Sequence, residues 1–161
     1  MLAKTYGSAV YGVDAYKITI EVNVGQGTRF FMVGLPDSAV KESEQRVESA
    51  IKHLGYRMPR QKVVVNLAPA DIRKEGSAYD LPIAIGILQA SEQLASHDLE
   101  TYVMMGELAL DGHLRPIKGA LPIAIEARKN GFKGFILPKE NASEAAILSM
   151  CHKILVYTCR N

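Results

Sequence analysis

Several absences bound what this chain does. It has two cysteines in 161 residues, Cys151 and Cys159, eight positions apart. They form no Cys-x-x-Cys pair and no disulfide framework, and they read as reduced cytosolic thiols. The four histidines, His53, His97, His113 and His152, have no partner at helical spacing. Convergent ligands are what a metal needs, so no metal site is expected. The sequence contains no Gly-Lys pair. A Walker A loop requires one, so that backbone N–H groups and the lysine hold phosphates; no nucleotide or other cofactor is expected in this chain. Gly25-Gln26-Gly27 lacks a third glycine and reads as a turn between strands. The longest apolar stretch, Leu81 to Leu88, is too short to span a bilayer, and Met1 to Lys4 turns polar where a signal peptide would stay apolar. A soluble, cytoplasmic protein with no membrane partner is expected. The net charge of +2 argues neither for nor against nucleic acid.

What is present suffices for one domain over residues 1–161. Hydrophobic residues make up 48% of the chain, enough for a sizeable core. The first third reads as strands. Ile18, Ile20, Val22 and Val24 alternate with Thr19, Glu21 and Asn23, the period of a strand with one buried face. Ser8–Val13, Tyr16–Val24 and Arg29–Val33 are expected to form an antiparallel meander. Asp37 or Ser38 caps a helix whose stripe is Val40, Val47, Ile51 and Leu54, stopped at Gly55. Lys62–Leu67 reads as a buried strand. Asp80 is expected to cap a second helix with Pro82 in its first turn, apolar nearly all round and therefore central. Strands at Tyr102–Leu108, Gly134–Leu137 and Ile154–Thr158 alternate with a helix from Pro122 to Gly131 and one opened by an Asn141/Glu144 capping box. Strands first, then alternating strand and helix, define an α/β or α+β domain. Leu-Pro-Ile-Ala-Ile occurs at Leu81–Ile85 and again at Leu121–Ile125, with Asp71 and Asp111 at equivalent offsets. Two similar helix starts and two related halves both account for it.

Two stretches carry the functional signal: Ile72-Arg73-Lys74-Glu75-Gly76-Ser77-Ala78-Tyr79-Asp80-Leu81, and Gly106-Glu107-Leu108-Ala109-Leu110-Asp111-Gly112-His113-Leu114-Arg115-Pro116-Ile117. Together they resemble the active-site region of Lon-type proteases. There the first stretch carries a nucleophilic serine, and a catalytic lysine follows the second. In this chain Ala78 takes the serine's place and Ile123 the lysine's. A Ser–Lys peptidase needs a hydroxyl and an amine within hydrogen-bond reach, and these two side chains supply neither. Ser77, beside the lost nucleophile, with Lys74 or Lys118, is the alternative dyad. Ser77 matches a proline of the Lon pattern, so its hydroxyl is expected to point elsewhere.

The resemblance extends through Lys4-Thr5-Tyr6-Gly7-Ser8-Ala9-Val10, Gly34-Leu35-Pro36-Asp37-Ser38-Ala39-Val40-Lys41-Glu42-Ser43 and Val64-Val65-Asn66-Leu67-Ala68-Pro69-Ala70-Asp71. Over essentially the whole chain it looks like the N-terminal domain of Mg-chelatase-like AAA+ ATPases of the bacterial ComM or YifB type. This implies a Lon proteolytic-domain fold, in the ribosomal protein S-five domain 2-like group. It also implies an ATPase module, with its ATP and Mg, C-terminal to this chain and absent from it. The end of the chain straight after a strand-like run fits a domain cut from a longer protein.

The same resemblance implies a hexameric, ATP-driven motor in DNA processing, for helicase or branch-migration work in DNA uptake and recombination. Within it a domain of this kind serves ring assembly and contact with DNA or a partner protein. Candidate nucleic-acid ligands are Arg57, Arg60 and Lys62, close to Tyr56, then Arg73 and Lys74, then Arg115 and Lys118. A basic stripe with an aromatic suits a single strand. A pure oligomerisation module, a Ser–Lys peptidase and a metal-chelatase subunit are the competing readings.

Overall fold

The computed structural model describes residues 1–146 and 154–156. Cys151, Cys159 and His152 lie outside the described residues, and so does the reading of the two thiols. Strands β1 (Leu2–Tyr11) and β2 (Asp14–Gly25) form a long antiparallel hairpin, in register from Leu2↔Asn23 to Tyr11↔Asp14. Ile18, Ile20, Val22 and Val24 all turn into the core, as their alternation requires.

The third strand departs from the expected meander. β3 (Phe30–Val33) does not pair with β2. It lies parallel to β4 (Lys62–Ala68), which is inserted between them. A parallel pair needs a crossover, and two helices supply it: α1 (Ser38–Lys41) and α2 (Ser43–His53). Asp37 caps α1, its Oδ1 accepting the Val40 N–H at 2.8 Å. Val40, Val47 and Ile51 are buried as one stripe. Leu54, past the end of α2, is 43% exposed instead of completing that stripe. Gly55, with φ +85°, ends the turn in a conformation that favours glycine.

Helix α3 (Asp80–Ala90) lies against β1 and β2. Gly86 makes the close approach possible: a Cβ there would sit 2.6 Å from Val22 Cγ2. Ile83 and Ile87 are fully buried, so the helix is central as its composition demands.

The expected strand over Tyr102–Leu108 is divided. β5 (Tyr102–Met104) joins the main sheet beside β1, while β6 (Glu107–Leu108) pairs with β7 (Leu114–Arg115) as a separate hairpin. The break falls at Gly106, whose N–H donates to the Ala78 carbonyl and whose carbonyl accepts the Leu81 N–H. Helix α4 (Ala120–Lys129), β8 (Gly134–Leu137), α5 (Ala142–Ala146) and β9 (Ile154–Val156) follow among the described residues. The seven-stranded sheet runs β3-β4-β2-β1-β5-β8-β9. Both copies of Leu-Pro-Ile-Ala-Ile open helices, α3 and α4, but Ile125 of the second is 37% exposed while Ile83 and Ile123 are buried. Among the described residues no helix is long and apolar enough to cross a membrane.

Candidate functional site

Two clefts carry the candidate residues. The first gathers the two stretches that carry the Lon resemblance. It measures about 690 Å³, and Ser77, Ala78, Tyr79, Glu107, Lys118 and Ile123 are among its walls. Ala78 and Ile123, 45 positions apart in sequence, therefore face one cavity. The loop bearing Ala78 is fixed at each end. The Gly76 N–H donates to Asp37 Oδ2 at 3.2 Å, and the Ala78 carbonyl accepts from Gly106 at 2.8 Å. On the other side Gly119, at φ +79°, packs against Val10 and starts α4. Ser77 is half-buried, and its hydroxyl donates to Glu107 Oε2 at 2.5 Å. Its partner is thus a carboxylate, where an alternative dyad would need an amine.

Lys74 corrects an expectation. It is fully buried, and its Nζ donates to the Gly34 carbonyl at 2.6 Å and to the Pro69 carbonyl. Burial lowers its pKa from the ordinary lysine value. A cation enclosed by carbonyls cannot reach a phosphate, so Lys74 leaves the nucleic-acid candidates and acts as a strut beneath the Gly34–Asp37 turn.

Two further residues hold this cleft in roles beyond those expected. Asp80 is the first residue of α3, but its carboxylate caps nothing in that helix. It accepts from Ser43 Oγ at 2.5 Å, from Arg46 Nε at 2.7 Å and Nη2 at 3.0 Å, and from the Leu108 N–H at 3.0 Å. Burial pushes its pKa up, and the hydrogen bonds from Arg46, Ser43 and Leu108 pull it down. Asp80 thereby ties α2, α3 and β6 together behind the Ala78 loop. Asn141 keeps its expected partner, its Nδ2 donating to Glu144 Oε2 at 3.5 Å, but it spends most of its side chain on a distant segment. Its Oδ1 accepts the Ile117 N–H and its Nδ2 donates to the Ile117 carbonyl, both at 2.8 Å. Glu144 Oε1 accepts the Leu121 N–H at 3.2 Å, at the start of α4. Neither role shows in the local sequence, because the partners lie 24 to 37 residues away.

The second cleft, about 1220 Å³, is walled by the loop after α2, the start of β3 and the turn after α3. Arg29, Lys52, Tyr56, Arg57 and Arg60 line it, together with Glu44 and Glu48 of α2. Arg57 and Arg60 were expected from sequence; Arg29 and Lys52 enter only through the fold. Lys62 is exposed at the start of β4, its Nζ 5.2 Å from the Phe31 ring centroid. The exposed cations singled out from sequence thus fall into two groups. Arg73, paired with Glu75 at 3.2 Å, and Arg115, 3.9 Å from Glu107, belong with Lys118 around the first cleft. In the second, Lys52 is tied to Glu48 at 2.5 Å. Glu44 has its pKa raised, first by burial and then by the neighbouring Glu48 charge.

The fold and the first cleft fit a Lon-like domain, and Ala78 and Ile123 present only carbon side chains to that cleft. The sequence comparisons agree and go further. The chain matches the family model described as subunit ChlI of Mg-chelatase over residues 20–141. It is 49% identical over 149 residues to YifB of Salmonella typhimurium, 92% of this chain and 29% of that protein. To competence protein ComM of Haemophilus influenzae it is 45% identical, with the same coverage. Lon protease 2 of Bacillus subtilis matches at 29% identity over 104 residues, 65% of this chain and 18% of that protease. The chain belongs to the Mg-chelatase-like family that includes YifB and ComM. It spans about 29% of the length of those relatives.

Proposed function

We propose that this chain is the non-catalytic Lon-like domain of a Mg-chelatase-like AAA+ ATPase, and that it contacts DNA in an ATP-driven, ring-forming motor. In this reading the ATPase module, with its ATP and Mg, lies C-terminal to the domain in the full-length protein, which assembles as a hexamer in the cytoplasm. The observation that carries the DNA contact is the second cleft, where Arg29, Lys52, Arg57 and Arg60 converge beside the exposed Tyr56 ring. Guanidinium groups lining a groove suit phosphates, and an aromatic face suits an unstacked base. ComM, a close relative in sequence, is named for competence, which fits work on incoming DNA. Loss of peptidase chemistry rests on Ala78 and Ile123, because neither a methyl nor a sec-butyl group transfers a proton.

Fluorescence anisotropy with single- and double-stranded oligonucleotides tests the contact. Binding is expected to be weak, near 10⁻⁴–10⁻⁶ M at physiological salt, and to weaken steeply as salt rises. Arg57→Glu/Arg60→Glu abolishes it at unchanged Tm, and Arg73→Glu/Arg115→Glu leaves it. No binding by the wild type at low salt would remove the DNA reading. Incubation with unfolded casein is expected to give no cleavage; turnover that Ser77→Ala abolishes would restore the peptidase reading.

One observation favours a second reading, that the domain is an oligomerisation module. β3 is an edge strand, and along it Phe31 and Val33 are 41% and 47% exposed. Such a row is suited to pairing with another chain.

A further inference from the structure

The loop bearing Tyr56, Arg57 and Arg60 is held more firmly than a surface loop needs to be. The Gln93 side chain grips the backbone of Arg57 from both sides. Its Oε1 accepts the Arg57 N–H at 2.8 Å, and its Nε2 donates to the Arg57 carbonyl at 2.6 Å. The same Nε2 also donates to Ser91 Oγ at 2.8 Å, which fixes the amide from behind. Gln93 itself is aimed by a tight turn. Glu92 has φ +60°, an uncommon conformation for a residue other than glycine. The backbone around it is closed by Glu92 N–H to Gln89 and Gln93 N–H to Leu88 hydrogen bonds at 3.0 and 2.9 Å. Backbone held in a sparsely populated conformation, with its side chain spent on a loop 36 residues away, marks a placed element.

What that element places is an aromatic ring and two guanidinium groups on one wall of the 1220 Å³ cleft. Glu44 and Glu48 line it from α2, so a polyanion is directed toward the arginines. Tyr56, 41% exposed, is the face left for a base. A duplex keeps its bases stacked inside and offers that ring nothing; a single strand offers a π-face with every nucleotide.

We propose that this cleft is a preorganised site for single-stranded nucleic acid, in which Tyr56 stacks a base and Gln93 is the residue that positions the loop. The proposal rests on the nucleic-acid reading above and narrows it to one strand. The test is anisotropy of the 161-residue protein with a labelled oligothymidylate and with a labelled duplex. Variants are Tyr56→Ala, Tyr56→Phe, Gln93→Ala and the Tyr56→Ala/Gln93→Ala double. Tyr56→Ala is expected to weaken single-strand binding roughly tenfold, from the loss of one stacked base. Tyr56→Phe keeps it, and the slope of affinity against salt does not change, because stacking releases no counterions. Gln93→Ala is expected to weaken single-strand binding about fivefold, but to add little in the Tyr56→Ala background, since coupled residues are non-additive. A wild type that binds duplex equally well, a Tyr56→Ala protein that binds normally, or fully additive losses would each overturn this inference and leave the nucleic-acid reading standing. A wild type that binds neither probe overturns both.

Discussion

The two clefts of this domain are built on opposite plans. The cleft around Ala78 and Ile123 is held from behind by buried polar groups: Asp80 on Ser43, Arg46 and Leu108, Asn141 on Ile117, and Lys74 on the Gly34 and Pro69 carbonyls. The cleft around Arg57 presents exposed cations on a loop whose Arg57 backbone is gripped by the Gln93 side chain. In the first, the residues that shape the cavity also hold the fold together. In the second, shape and stability are nearly separate. A cleft of the first kind keeps its form when a residue lining it changes, because losing the form would cost the domain its core. A cleft of the second kind is free to change what it binds.

That contrast breaks most visibly at Asp80. Asp80→Ala removes the acceptor for Arg46, whose side chain is only 18% exposed, and for the Leu108 N–H. A loss of about 3–5 kcal/mol is expected, the range for breaking one side of a buried ion pair. Urea denaturation measures it, and a loss below about 1 kcal/mol would show that Asp80 is not the tie described here.

Asn141→Ala comes next. It leaves the Ile117 N–H and carbonyl without their side-chain partner in a buried place. A cost of about 1–3 kcal/mol follows from one unsatisfied buried group. Because Ile117 walls the first cleft, amide exchange at Ile117 should rise more than exchange in β2, whereas equal rises would mean global loosening.

On the other side of the comparison, Arg57→Glu/Arg60→Glu is expected to change stability by no more than about 0.5 kcal/mol, the usual range for surface substitutions. A clear fall in Tm would deny the separation of shape from stability in the second cleft. The smallest effect belongs to Glu44→Gln. Removing this carboxylate from the cleft wall should tighten nucleic-acid binding about twofold at low salt and leave it unchanged at high salt, where charges are screened. Its raised pKa gives the same sign for the wild type: as pH falls through that pKa, Glu44 loses its charge and the polyanion binds better. Weaker binding by Glu44→Gln would place the ligand elsewhere.

Much of the fold was legible because it depends on short-range pattern. The alternation from Ile18 to Val24, the Asp37 cap and the apolar character of α3 each follow from periods and caps within a few residues. The pairing of β3 was not legible. A strand that follows a hairpin turn by local pattern can equally begin a crossover, and only the burial of β4 on the β2 edge decides between them. The distant ties of Asp80 and Asn141 were not legible for a related reason. Each stands where a helix cap is common, and local rules cannot show that a distant Arg46 or Ile117 competes for the same side chain. Gln93 gave no local signal at all.

The sequence by itself determined the class of this protein. The order of its motifs identifies the Lon-like domain, and Ala78 and Ile123 each supply only a carbon side chain, because chemistry at a position is a property of the residue there. The tertiary structure decided which residues share a place. It brought Ala78 and Ile123 into one cavity, withdrew Lys74 into the interior, and set Arg29 and Lys52 beside Arg57 and Arg60. Exposure and proximity arise from packing among residues far apart in the chain, and no local window of sequence contains them.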